Sequence, residues 1–235
     1  VAAVTGHGGF AEAVLAPAAA CAALPAALPA EAAAALLVNY GTAEMALARR
    51  ARLGAGETLL VLGAAGGTGL AGVEIGALLG ARVIAVARGA ARRDLAREKG
   101  AAETLDPDAD DLKTAVKALG GADVVFDPVG GDLFRPALST LRFEGRYLPI
   151  GFASGEVPRI PANLLLVKNL DAIGLNWSAC LAHAPEAMGA SIARLLAWAA
   201  EGRLTPHVSD VLPLAEAEAA LDLLRERRAT GKVLL

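Results

Sequence analysis

Thr58-Leu-Leu-Val-Leu-Gly63-Ala-Ala-Gly66-Gly67-Thr68-Gly69 decides the fold. Its first half is an unbroken apolar run, as expected of a strand covered on both faces. Its second half is a glycine-rich turn, and a helical stretch from about Thr68 to Leu79 follows, stopped by Gly80. A pyrophosphate can lie against backbone N–H groups where a helix begins, since the helix dipole is positive there. Glycine is needed because a side chain would hold such a ligand away, and a further glycine lets helix and strand pack closely. Set on the G-x-G-x-x-G pattern, the three positions are Ala64, Gly66 and Gly69, with alanine replacing the first glycine. The bland alternative is a merely tight strand–helix turn.

Outward from this stretch, strand and helix signals alternate. Arg82–Ala87 reads as a second strand and Ala91–Lys99 as a helix stopped by Gly100. A short strand at Glu103–Leu105 precedes a helix whose apolar residues Leu112, Ala115, Val116 and Leu119 recur at helical spacing. Ala122–Asp127 is a fourth strand, Leu133–Leu141 a helix, Arg146–Gly151 a fifth strand and Asn169–Leu175 a sixth. This order predicts an α/β fold with a doubly wound parallel Rossmann sheet. Towards the end, Pro185–Glu201 reads as a helix and His207–Ser209 as a strand. A helix over Leu214–Arg228 and a strand starting at Lys232 follow. At the other end, Gly8–Leu15 alternates in part like a strand. Glu31–Arg52 reads as a helix broken near Asn39-Tyr40-Gly41. The strand-like run beginning at Val1 reads as continuing from a preceding segment.

Composition narrows the function. Hydrophobic residues are 55% and charged residues 20% of 235, enough for a sizeable core and against disorder. A net charge of −3, with no basic stripe, argues against a nucleic-acid partner. Ala13–Ala30 is uncharged, but Pro17, Pro25 and Pro29 interrupt it, so neither a membrane span nor a signal peptide is expected. Cys21 and Cys180 lie far apart and read as small hydrophobes in a reducing, cytoplasmic setting. His7, His183 and His207 are scattered and read as surface or capping residues, so no metal site is expected.

The end of the second strand selects the dinucleotide. NAD binders usually place an acid there, roughly 20 residues beyond the glycine loop, to accept from the ribose 2′-OH. Here the strand ends Val86-Ala87-Arg88, and Arg92 and Arg93 follow. A cation pairs with a 2′-phosphate, and no carboxylate sits at the strand end to repel it, so NADPH is expected. A solvated helix start is the alternative reading of these arginines. Gly151-Phe-Ala-Ser154-Gly155 sets its serine one position away from G-x-S-x-G, and no triad order accompanies it.

Seven stretches then make the chain resemble the zinc-independent quinone oxidoreductase branch of the medium-chain dehydrogenase/reductase superfamily. They are Gly9-Phe-Ala-Glu12, Asn39-Tyr-Gly-Thr-Ala43, Val61-Leu-Gly-Ala-Ala-Gly-Gly-Thr-Gly69, Asp127-Pro-Val-Gly-Gly131, Ile150-Gly-Phe-Ala-Ser-Gly155, Ile160-Pro-Ala-Asn163 and Thr230-Gly-Lys-Val-Leu234. The resemblance implies that Thr42 sits near the nicotinamide and that Gly66, Gly67 and Thr68 hold the pyrophosphate. Arg88 and Arg92 would face the 2′-phosphate, Arg92 standing where relatives often have lysine. Val129 and Gly131 would line the cofactor side, and Gly151, Phe152 and Ser154 would approach the nicotinamide ribose. Asn163 and Lys232 would return to the cleft.

Remnants of a GroES-like β-barrel substrate domain are implied at both ends. Residues 1–33 would be its residual strands, 34–204 the Rossmann NADP-binding domain and 205–235 the return to the substrate domain. Family members carry a further N-terminal segment that builds most of that barrel. Zinc-dependent relatives have a cysteine near Val38-Asn39, and this chain has none there. The implied activity is NADPH-dependent hydride transfer to a quinone or other enone-type acceptor, by a homodimer. No catalytic acid or base stands out, and Tyr40 reads as structural. An enoyl-thioester reductase on the same fold and a non-catalytic NADPH-binding module remain alternatives.

Overall fold

The computed structural model describes residues 1–235, the side chain of residue 19 excepted. Contacts divide the chain into two units: Thr42–Asn176, and Val1–Gly41 together with Trp177–Leu235.

In chain order the elements are as follows. Strands β1 (Ala2–Ala3) and β2 (Cys21–Ala22) precede helix α1 (Ala30–Glu44), and β3 (Thr58–Val61) leads into α2 (Gly67–Leu78). Next come β4 (Arg82–Val86), α3 (Ala90–Glu98), β5 (Glu103–Leu105), α4 (Leu112–Ala118) and β6 (Ala122–Asp127). After these lie α5 (Phe134–Thr140), β7 (Leu141–Pro149), α6 (Ala162–Lys168) and β8 (Asp171–Ala172). The remainder holds α7 (Cys180–His183), α8 (Pro185–Ala200), β9 (Val208–Val211), α9 (Ala217–Arg225) and β10 (Lys232–Leu234).

In the Thr42–Asn176 unit, six parallel strands run in the order β5-β4-β3-β6-β7-β8. The doubly wound Rossmann sheet expected from the sequence is therefore present. Strand alternation sends neighbouring residues to opposite faces. Leu60, Leu62, Ile84, Val86, Val125 and Tyr147 share one core with Val116 of α4 and Leu138 of α5. Phe134 meets Tyr147 edge-on there, with ring centroids 5.3 Å apart.

The other face of the sheet receives α2 through glycines spaced at helical intervals. A Cβ at Gly72 would come within 3.0 Å of the Phe126 ring, and one at Gly76 within 2.4 Å of Leu59. Gly69 is tighter still, since a Cβ there would lie 2.1 Å from the carbonyl oxygen of Gly63. Backbone cannot yield like a side chain, so only glycine fits position 69 and only glycines let α2 lie this close.

In the other unit, β1 pairs antiparallel with β2, and β9 pairs with β10 in parallel. The 16-residue α8 buries Met188, Leu195 and Leu196, leaves Ile192 and Ala199 half-buried although their spacing predicts burial, and opens with Pro185 at its first turn.

Several boundaries differ from the sequence reading. Gly8–Leu15 forms no strand; the pairing is made by Ala2–Ala3 and Cys21–Ala22 instead. The helix expected to break near Asn39-Tyr40-Gly41 is continuous through Glu44, and Met45–Arg50 extend it as a π-helix. Gly41 is a packing residue: a Cβ there would stand 2.6 Å from Nε1 of the Trp177 indole. Strand β7 starts at Leu141, and its register jumps from Leu141 to Arg146 against Ala122 and Val124, accommodating Glu144 at φ 61°. Helix α6 lacked a clear sequence signal, and β8 is reduced to two residues.

Candidate dinucleotide-binding site

The strand order reverses between β3 and β6, and open α/β sheets bind ligands outside the carboxyl ends of the strands at such a point. Four turns meet there, after β3, β4, β6 and β7.

The turn after β3 is made of backbone. Leu62 N–H donates to the Phe126 carbonyl at 3.1 Å and Ala64 N–H to that of Val86 at 2.9 Å, tying the turn to both neighbouring strands. Gly63 has φ 58°, and a Cβ there would come within 2.7 Å of Val129. Gly66 is the N-cap of α2 at φ −78° and, being glycine, offers no side chain to cap the first N–H groups. A Cβ at Gly66 would meet only the Gly63 carbonyl oxygen, at 3.5 Å. Gly66, Gly67 and Thr68 thus stand at the positive end of a 12-residue helix, fit to receive an anion.

The turn after β6 is held by a carboxylate. Asp127 is fully buried, and its Oδ1 accepts from Val129 N–H at 2.7 Å and Gly130 N–H at 2.8 Å. Its Oδ2 accepts from the Tyr147 hydroxyl at 2.7 Å. Burial, then the charge of Asp127, raises the Tyr147 phenol well above its usual range, so the hydroxyl stays a donor. Sequence reading quoted Asp127 within a matching stretch but gave it no role; its partner lies 20 residues on.

The turns after β6 and β7 run side by side. Ile150 N–H donates to the main-chain carbonyl of Asp127 at 2.8 Å, Ala153 N–H to that of Pro128 at 3.1 Å and Ser154 N–H to that of Val129 at 3.0 Å. A Cβ at Gly131 would collide with Ser154 at 2.9 Å, and one at Gly130 with the Glu156 carbonyl at 2.7 Å. Val129, Gly131, Gly151, Phe152 and Ser154 therefore lie on two adjacent turns. The Phe152 side chain is exposed at 44%.

At the end of β4 the sequence reading needs a correction. Carboxylates do stand beside the arginines, carried there by the turn after β5. Arg88 Nε donates to Asp108 Oδ1 at 3.0 Å. Arg93 forms a short ion pair with Asp106. Asp106 also accepts from Gly89 N–H at 3.0 Å and Asp108 N–H at 3.2 Å. These backbone hydrogen bonds, with the Arg93 charge, hold its carboxyl below the usual carboxylate range. Arg93 is thus tied to the turn; Arg88 and half-buried Arg92 are the two that the sequence reading assigned to a phosphate. The β5 turn sits too far along the chain to be seen from β4, although Asp106-Pro-Asp-Ala-Asp-Asp111 is conspicuous in itself.

Thr42 lies on α1, and Asn163 is exposed near the start of α6. Lys232 belongs to the other unit, on β10, where burial lowers its ammonium pKa. His207 of that unit lies 3.1 Å from the Thr230 hydroxyl, as a structural pin.

A model of the zinc-binding dehydrogenase family matches residues 67–196, more than half of the chain. The chain belongs to that family. Within it, the chain falls on the quinone oxidoreductase-like branch of the medium-chain dehydrogenase/reductase superfamily. It is 40% identical to a quinone oxidoreductase-like protein 2 homolog of Nematostella vectensis, covering 97% of this chain and 64% of that protein. A quinone oxidoreductase-like protein 2 of Bos taurus is also 40% identical, over 67% of this chain and 46% of its own length. The chain therefore spans less than two thirds of these relatives. Among solved structures, the quinone oxidoreductase of Thermus thermophilus, determined alone and with NADPH, superposes with a TM-score of 0.89. It shares 36% identity, over 99% of this chain and 76% of that one.

The family's name implies zinc, and the donors here do not suit it. Cys21 is exposed and donates to the Pro17 carbonyl, and Cys180 lies on α7. Among the described residues, no three His, Cys, Asp or Glu side chains gather as a metal site.

Proposed function

We propose that this chain is the larger part of an NADPH-dependent oxidoreductase that reduces a quinone or other enone-type acceptor without zinc. The observation that carries this reading is the N-terminus of α2, where the N-cap is Gly66 and carries no side chain, at the point where strand order reverses. The NADPH complex of the Thermus thermophilus relative supports the choice of dinucleotide.

The cofactor would supply a hydride from its nicotinamide; the protein supplies position. Gly66, Gly67 and Thr68 would receive the pyrophosphate on backbone N–H groups. Arg88 and Arg92 would pair with the 2′-phosphate. Val129, Gly131, Gly151, Phe152 and Ser154 would line the nicotinamide end, with the β6 turn held rigid by Asp127. Thr42, Asn163 and Lys232 complete the proposed set. Reduced quinone oxygens can take protons from water, so the site needs no strong general acid.

Segments 1–33 and 205–235 are assigned to a GroES-like substrate domain, and the exposed edge strand β8 to a homodimer contact. No helix among the described residues is long and apolar enough to cross a membrane. Fluorescence titration with NADPH and NADH tests the reading. NADPH should bind more tightly, and Arg92→Glu should abolish that preference while leaving NADH affinity within about twofold. Equal affinity for the two nucleotides in the native protein would remove the phosphate assignment, and quinone turnover tests the acceptor.

A further inference from the structure

The turn after β5 carries four aspartates, and three have backbone duties. Asp106 accepts from Gly89 and Asp108 N–H groups, Asp110 from Asp106 N–H at 2.8 Å, and Asp111 caps α4 through Thr114 N–H at 2.7 Å. The Asp108 carboxylate does something else: it takes the Nε of Arg88 at 3.0 Å. Both side chains are more than half exposed, at 53% and 63%, so this pair adds little to the stability of the turn. Its position matters more. Arg88 follows the end of the strand next to the glycine turn, where the adenosine ribose of a dinucleotide lies in this fold.

A guanidinium binds phosphate best through two parallel N–H groups, and a carboxylate on Nε occupies one edge of that fork. Asp108 is held in place from below, because its own N–H is bonded to Asp106, and Asp106 is fastened to Gly89 and Arg93. The carboxylate is thus part of a braced turn rather than a swinging surface group.

We propose that Asp108 is a specificity-determining residue that competes with the cofactor 2′-phosphate for Arg88 and so tempers the preference for NADPH over NADH. This rests on the dinucleotide reading above. A bound 2′-phosphate must share Arg88 with Asp108 or displace it, a cost that a cofactor with a free 2′-OH does not meet.

The test is direct binding of NADPH and NADH, followed by nucleotide fluorescence at low and high salt, for the native protein, Asp108→Asn, Arg88→Ala and the double variant. Asparagine keeps an oxygen acceptor for Nε and removes the charge. Asp108→Asn should tighten NADPH about two- to fivefold, the range an exposed ion pair allows, and leave NADH unchanged. The gain should shrink at high salt and vanish when Arg88 is alanine. Three results would each overturn the proposal. They are a loss of NADPH affinity in Asp108→Asn, which would make Asp108 an orienting partner; an equal shift for both nucleotides; and a gain that survives in the double variant, which would mean simple repulsion at a distance. If the native protein binds neither nucleotide, the dinucleotide reading falls, and the proposal falls with it.

Discussion

Two turns flank the reversal of strand order, and they are built in opposite ways. The turn after β3 is shaped by what is left out. Gly63 escapes Val129, Gly69 escapes the Gly63 carbonyl, and Gly66 leaves the start of α2 uncovered. The turn after β6 is shaped by one side chain, the buried carboxylate of Asp127, which accepts three hydrogen bonds without a cation among those partners. The comparison teaches that a ligand crevice can be kept open by steric absence on one wall and stiffened by polar satisfaction on the other. A buried carboxylate is costly unless its hydrogen bonds are made, so the second wall is sensitive to loss of a donor.

The largest effect is expected where backbone meets backbone. Gly69→Ala should destabilise the protein by about 3 kcal/mol, at the upper end of overpacking costs, because the Gly63 carbonyl cannot rotate aside. Urea denaturation measures this, and a loss near zero would mean that α2 can slide outward and that the close approach is not required. Next comes Tyr147→Phe, which leaves Asp127 Oδ2 without its donor at a fully buried site. About 1–2 kcal/mol should be lost.

Tyr147 also has a pH signature with a definite sign. Its folded pKa is raised, so the native state retains a proton that the unfolded state releases. Its contribution is whole below the phenol's ordinary value of about 10 and declines as pH rises beyond it. Native protein should therefore show an alkaline loss of stability that Tyr147→Phe lacks. Parallel alkaline curves for the two proteins would break the contrast between the walls.

How much of this could be read from the sequence depended on where the partners lie. Strands β3, β4 and β6 are apolar on both faces and were legible as continuous runs ended by glycine or a charged residue. The glycine turn was legible because its partners are local. Asp127 was not, since its meaning comes from Tyr147 on the neighbouring strand. Asp108 escaped for the same reason, coming to Arg88 from the far end of β5. Gly41 looked like a helix breaker because the indole against it lies 136 positions away, at Trp177. The two-residue strand β2 is too short for any alternation to declare it, and β8 was read as a longer strand over Asn169–Leu175 of which only Asp171–Ala172 pair.

The smallest expected change in stability belongs to Gly66→Ala, and it tests the central claim most directly. A Cβ at Gly66 has ordinary clearance and the backbone φ of −78° suits alanine, so the melting temperature should not fall. On the proposed reading, the methyl group would nonetheless crowd the pyrophosphate where it approaches the α2 N–H groups. Titration of native protein and Gly66→Ala with NADPH, alongside their melting curves, should show affinity lost by at least tenfold at unchanged stability. NADPH binding equal to that of the native protein would contradict the account, because the open helix terminus would then not be the place where the dinucleotide sits.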